Sequence, residues 1–190
     1  TGVVAPNGAG NSPWLRLIAG ALPAASGHID LAGSLAYLPQ DLAYPNALRV
    51  GDVVDVSERL DALAAIAAGR MEQALFDTVG DAWDLEERTR ASLAKFGLDH
   101  LAFDRTLDTL SGGEVMALGL VAQWLPRPDI LLLDEPSNHL DATARQRLYR
   151  FVDEWDGCLI VASHDRALLE RMDQIAELES ASLRLYGGDF

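Results

Sequence analysis

Two adjacent carboxylates, Asp134 and Glu135, close the apolar run Ile130-Leu-Leu-Leu133. A buried strand ending in such a pair delivers both acids to its C-terminal end, where ligands bind in open α/β sheets. Because side chains alternate along a strand, the two are expected to point different ways and to take different tasks, one holding a metal and its neighbour polarising a water. The plainer alternative is that they only cap the next helix. Upstream, Ala5-Pro-Asn-Gly-Ala-Gly-Asn-Ser12 follows a short strand-like run and precedes the helix-like Trp14–Ala19. That is the setting of a phosphate-cradling loop with the pattern GxxxxGK and then Ser or Thr. Gly8 and Gly10 let backbone N–H groups turn inward, and Ser12 offers a hydroxyl to Mg²⁺. Ala5 replaces the first glycine and Asn11 the lysine, so the loop keeps its shape signal and loses its point charge. Pro13 removes one more N–H, although its fixed φ suits a first helical turn.

Ser111-Gly-Gly-Glu114 supplies a second anion-reading device. Ser111 can cap a helix running to about Leu125, with N–H groups beside Gly112 and Gly113 at the helix's positive end. His164, in Ala162-Ser-His-Asp165, ends another apolar run. Alone it reads as a structural histidine. In this company it is also a candidate to contact a phosphate.

These groups need a scaffold of parallel strands and crossover helices, and the chain has that alternation over most of its length. Candidate strands are Gly2–Ala5, Ser34–Leu38, Ile130–Leu133, Leu159–Ala162, Ile175–Leu178 and Leu183–Tyr186. Most are rich in Val, Ile and Leu without alternation, as strands covered on both faces should be. Between Asp41 and Asp104 the strand-like runs disappear, and Leu60, Leu63, Ala67, Met71 and Leu75 fall at helical spacing. The expected organisation is therefore an α/β core, residues 1–40 and 105–190, with a helical subdomain at residues 41–104. The helix after Ser111, Val115–Leu125, is apolar nearly all round and so wants burial.

A chain of 190 residues is enough for one sizeable core. Hydrophobic residues at 49% and charged residues at 23% exclude a disordered or low-complexity protein. The net charge is −14, and residues 51–104 hold twelve acidic against five basic residues, about half of that excess. Such a chain repels phosphate backbones as a whole, so direct nucleic-acid binding is not expected. Lys95, the single lysine, lies in the helical insert and not at the loop; Arg16 follows the loop by more than one helical turn and is expected to face outward. Cys158, in the run Cys158–Ala162, reads as a small buried strand residue in a reducing compartment. No uncharged run approaches the roughly 18 apolar residues of a membrane span, and no secretory signal is evident.

Together, and in this order, the motifs resemble the nucleotide-binding domain of the ATP-binding cassette (ABC) superfamily across nearly the whole chain. The resemblance implies a P-loop NTPase core, with Asn7, Gly8, Ala9, Gly10, Asn11, Ser12 and Pro13 forming the phosphate loop and Ser111, Gly112 and Gly113 the signature motif. It further implies that Ser12, Gln40 and Asp134 hold Mg²⁺, that Glu135 activates the attacking water, that residues 137–141 form the D-loop, and that His164 is the switch histidine at the γ-phosphate. Two such domains meet head to tail with ATP between them, so the implied partner is a second cassette, in the same polypeptide or in a dimer. Ser137–Asp141, Ser163–Arg171 and the ending Tyr186-Gly-Gly-Asp-Phe190 look most like ABC-F proteins, which are soluble, carry two cassettes and commonly act on ribosomes. On that basis the chain is expected to be a cytoplasmic ATPase cassette, truncated before its loop, that acts on the ribosome. Asn11 leaves hydrolysis open: the alternatives are a degenerate, non-hydrolysing nucleotide-binding module and the ATPase subunit of a membrane transporter.

Overall fold

The computed structural model describes residues 1–4, 11–179 and 182–187. In chain order its elements begin with β1 (Gly2–Val4), α1 (Asn11–Ile18) and β2 (Leu35–Leu38). A helical stretch follows: α2 (Val50–Val53), α3 (Ser57–Ala67), α4 (Gln73–Val79), α5 (Leu85–Lys95) and α6 (Gly112–Trp124). The chain returns through β3 (Ile130–Asp134), α7 (Ala142–Asp153), β4 (Cys158–Ala162), α8 (Arg166–Leu169), β5 (Gln174–Glu179) and β6 (Ser182–Gly187). All six expected strands are present, and the fold is α/β.

Contacts divide the chain into two compact units, Thr1–Leu42 with Pro126–Phe190, and Ala43–Leu125. The first holds a sheet of order β2-β3-β4-β1-β5-β6, parallel throughout except for the antiparallel β5–β6 pair. β3 sits between β2 and β4, with Leu133 beside Leu38 and Val161. Its Leu131, Leu132 and Leu133 are fully buried, which is why it reads as an unbroken aliphatic run. Val3, Leu15, Leu132, Ala162 and Ala176 form one buried cluster that packs α1 onto the sheet. Because β2, β3 and β4 run parallel, their C-terminal ends share one edge. Cys158, by contrast, is exposed at the start of β4; burial sets in only further along the strand, at Val161 and Ala162.

The second unit, Ala43–Leu125, is helical and takes in residues 105–125, which the sequence reading grouped with the α/β core. Helix α6 packs on α2 and α5, and Met116 to Val121 are buried, which meets the burial its sequence demands. The spacing from Leu60 to Leu75 does not run as one helix. Gly69, at φ 90°, follows the end of α3, and Met71 is left exposed before α4 begins. Lys95 lies over the Trp124 ring at 4.6 Å.

Candidate functional site

Strand β3 carries Asp134 to the sheet's C-terminal edge and buries it fully. A buried carboxylate must be met by donors, and each of its oxygens is. Ser12, in the first turn of α1, donates its hydroxyl to Oδ1 at 2.9 Å, and Tyr37 of β2 donates to Oδ2 at 3.1 Å. Arg16, exposed one turn beyond Ser12, hydrogen-bonds the Tyr37 side chain and holds its own proton more firmly for it. Its charge therefore backs the phenol first, with the Asp134 carboxylate a smaller, direct attraction.

The Ser12–Asp134 pair fits a small, hard cation. Both offer the hard oxygen donors that Mg²⁺ takes, held within hydrogen-bonding distance of one another. Among the described residues no three of His, Cys, Asp and Glu gather into a metal site. A hydroxyl and one carboxylate are a donor set that leaves a hard ion room for water and phosphate oxygens.

Glu135 lies one residue beyond β3. Alternation along the strand therefore does not orient it; a left-handed backbone, φ 46°, does. This conformation costs a non-glycine residue roughly 1 kcal/mol. Its N–H donates to the Ala162 carbonyl at 2.8 Å, which ties the turn to the end of β4. On the side-chain side, the Ser163 hydroxyl and the His164 N–H each donate to Oε2 at 3.4 Å, and His164 Nε2 stands 3.6 Å from Oε1. Burial, the largest influence, pushes the Glu135 carboxyl above its ordinary range, with His164 pulling the other way and the Asp134 charge adding to the rise. Glu135 is nearly buried, whereas the His164 ring is half exposed.

The edge thus gathers Ser12, Asp134, Glu135 and His164. Gln40 follows β2 by two residues on the same edge, partly buried. Asn7, Gly8, Ala9 and Gly10 lie outside the described residues; Asn11 opens α1 and Pro13 sits exposed in its first turn. Past Glu135, Ser137 is buried, and Asp141 caps α7 by accepting from the Ala144 N–H at 2.7 Å. In the helical unit Ser111 is the N-cap of α6, within a capping box: Glu114 N donates to Ser111 Oγ at 3.3 Å while Ser111 N and Oγ donate to Glu114 Oε2 at 2.8 and 2.7 Å. A Cβ added at Gly112 would meet nothing within 4 Å, so internal packing does not require that glycine. Tyr37 and Ser163 escaped the sequence reading. Their signal is a hydroxyl near the end of an otherwise aliphatic run, legible only once the strand order is known.

The family model described as ABC transporter matches residues 1–138, from before the loop through Asp134 and Glu135. The chain belongs to the ABC transporter family. As an ABC cassette it is 32% identical, over its whole length, to the tylosin resistance ATP-binding protein TlrC of Streptomyces fradiae, of which it covers 39%. It is also 32% identical over its whole length to the energy-dependent translational throttle protein EttA of Mycobacterium tuberculosis, covering 37% of that protein. The cassette thus spans about two fifths of the length of these relatives. A solved ATP-binding subunit of an ABC transporter has the same fold, with a TM-score of 0.76 at 22% identity over 98% of this chain and 77% of that one. Among the described residues no helix is long and apolar enough to cross a membrane.

Proposed function

We propose that this cassette binds ATP with Mg²⁺, as one half of a head-to-tail pair, and hydrolyses it as part of a larger cytoplasmic protein of the ABC-F type acting on the ribosome. The observation that carries the reading is the Ser12–Asp134 contact, 2.9 Å across 122 residues of sequence, with Glu135 and His164 beside it. Ser12 and Asp134, with Gln40, would hold Mg²⁺, whose bound charge would neutralise the phosphates and orient them.

Within that site Glu135 serves as general base. A carboxylate made more basic by burial is a better proton acceptor from water. His164, half exposed and within reach of Glu135, is placed to donate toward a terminal phosphate oxygen. Ser111, Gly112 and Gly113 present a helix N-terminus to a nucleotide held by the partner cassette. The ribosomal role is supported by the name of one relative, the translational throttle protein, and belongs to a protein longer than this chain.

Asn11 and Pro13 favour a second reading, a module that grips nucleotide without turning it over. Exchanging a charged hydrogen bond for a neutral one weakens triphosphate binding by roughly tenfold, and the loss falls harder on the transition state. Asn11→Lys in the full-length protein separates the two. A gain in ATPase rate of about tenfold or more would mean that Asp134, Glu135 and His164 are competent. An unchanged rate, with ATP still bound in equilibrium dialysis, would establish the module, and no binding at millimolar ATP in either form would remove both readings.

A further inference from the structure

Behind His164 runs a polar chain that the proposed chemistry does not use. Tyr149, on the inner face of α7 and almost fully buried, donates its hydroxyl to Asp165 Oδ2 at 2.7 Å. The other carboxylate oxygen of Asp165 caps α8, accepting from the N–H groups of Ala167 at 3.1 Å and Leu168 at 3.3 Å. The Asp165 N–H in turn donates to Ser163 Oγ at 3.1 Å, and Ser163, fully buried, donates to Glu135 Oε2. Ser137 Oγ stands 3.5 Å from Ser163 Oγ. One carboxylate thus spans two helices: it closes the turn that bears His164 and is pinned to α7 by one phenol.

Two surroundings keep the phenol a donor. Burial, with Asp165 adding to it, pushes the Tyr149 hydroxyl up to about 12, so it stays protonated wherever the protein works. Arg171, over the ring at 4.8 Å, and Arg145, whose Nε stands 3.7 Å from Asp165 Oδ2, pull the other way without displacing Tyr149. Helix α7 is itself capped by Asp141, soon after the turn that leaves Glu135.

We propose that Tyr149 is a positioning residue: its bond to Asp165 locks the β4–α8 turn to α7 and so holds His164 and Ser163 in register with Glu135. The catalytic part of this proposal rests on the hydrolytic reading above; the bracing part does not. A buried hydrogen bond to a carboxylate is among the stronger ones, and its loss should open the turn locally by about tenfold or more.

The test is Tyr149→Phe in the full-length protein, with Asp165→Asn as a second variant that keeps an oxygen for capping α8 but loses the carboxylate. Hydrogen exchange without nucleotide should quicken about tenfold at the amides of His164, Asp165, Ala167 and Leu168 in Tyr149→Phe, with strand β3 unchanged. Steady-state ATPase should show kcat reduced about tenfold and KM for ATP within twofold, a split that a loss of general stability would not produce. Exchange at those amides within twofold of the parent in both variants would overturn the brace. Faster exchange with kcat unchanged would overturn the positioning role. A parent protein that binds but never hydrolyses ATP would sink the hydrolytic reading and with it the catalytic part, while the exchange measurement still decides the brace.

Discussion

Glu135 carries two burdens at once, a left-handed backbone and a carboxyl pushed upward by burial, and both are readable as stability. Its unfolded reference is 4.5 and its folded value is higher. Between the two the folded chain binds more protons than the unfolded one, so this group's contribution to stability falls as pH rises through that window. Glu135→Gln removes the titration. Thermal melts from pH 4 to pH 8 should show the variant melting above the parent at pH 7, with the gap closing toward pH 4. Its ATPase rate should drop by about 10²–10⁴ if Glu135 is the base. A variant no more stable than the parent at pH 7 would mean that His164 already compensates the burial. At this scale Asp134 was legible in the sequence, because an acid at the end of an aliphatic run has few other uses. The direction of Glu135 was not, since the strand ends one residue too early for alternation to govern it. The partners Tyr37 and Ser163 were hidden too, being contacts made by strand order.

Most of the strands were legible because they are aliphatic runs too short for a helix, and β3 is the clearest case: three consecutive leucines, all fully buried. Leu132→Ala should therefore cost about 2–5 kcal/mol in chemical denaturation, since α1 and the neighbouring strands close on that side chain. Helix α6 shows the limit. Its cap was readable from Ser111, yet its allegiance was not. An apolar helix announces that it will be buried and says nothing about the neighbour it buries against, which proved to be α2 and α5. The capping box makes a separate prediction. Glu114 is held down to about 2, first by the Ser111 N–H and then by the Ser111 hydroxyl, with His100 Nε2 at 2.9 Å helping. A depressed carboxyl contributes stability that is present above its ordinary 4.5 and lost as pH falls toward 2. Glu114→Ala should cost about 1 kcal/mol at pH 7, and the difference from the parent should fade below pH 4. A constant difference across that range would mean that the side chain acts by packing.

For the whole molecule the governing fact is the charge of −14, half of it within residues 51–104. A protein that neutralises phosphates releases counterions and binds any duplex with a strong salt dependence, typically at 10⁻⁴–10⁻⁶ M without sequence preference. This chain has fifteen basic residues against twenty-nine acidic ones. Several of the basic residues are already committed within the fold: Arg49 to Asp52, Arg90 to Glu86, Arg166 to Glu170 and Arg171 to Asp153. On this charge the cassette is expected not to read RNA directly. The 190-residue chain, titrated to about 10 μM against a short RNA duplex at about 0.15 M salt, should leave the RNA's mobility unchanged, and lowering the salt to about 0.05 M should not rescue binding. A dissociation constant below about 1 μM, weakening steeply with salt, would show that a local basic surface outweighs the net charge. With no binding, any ribosome association of the full-length protein must be carried by residues outside this chain or by protein contacts. Fusing the chain to an unrelated soluble carrier and sedimenting it with ribosomes would distinguish these: protein contacts made by the cassette would bring the fusion down, and contacts made elsewhere would leave it in the supernatant.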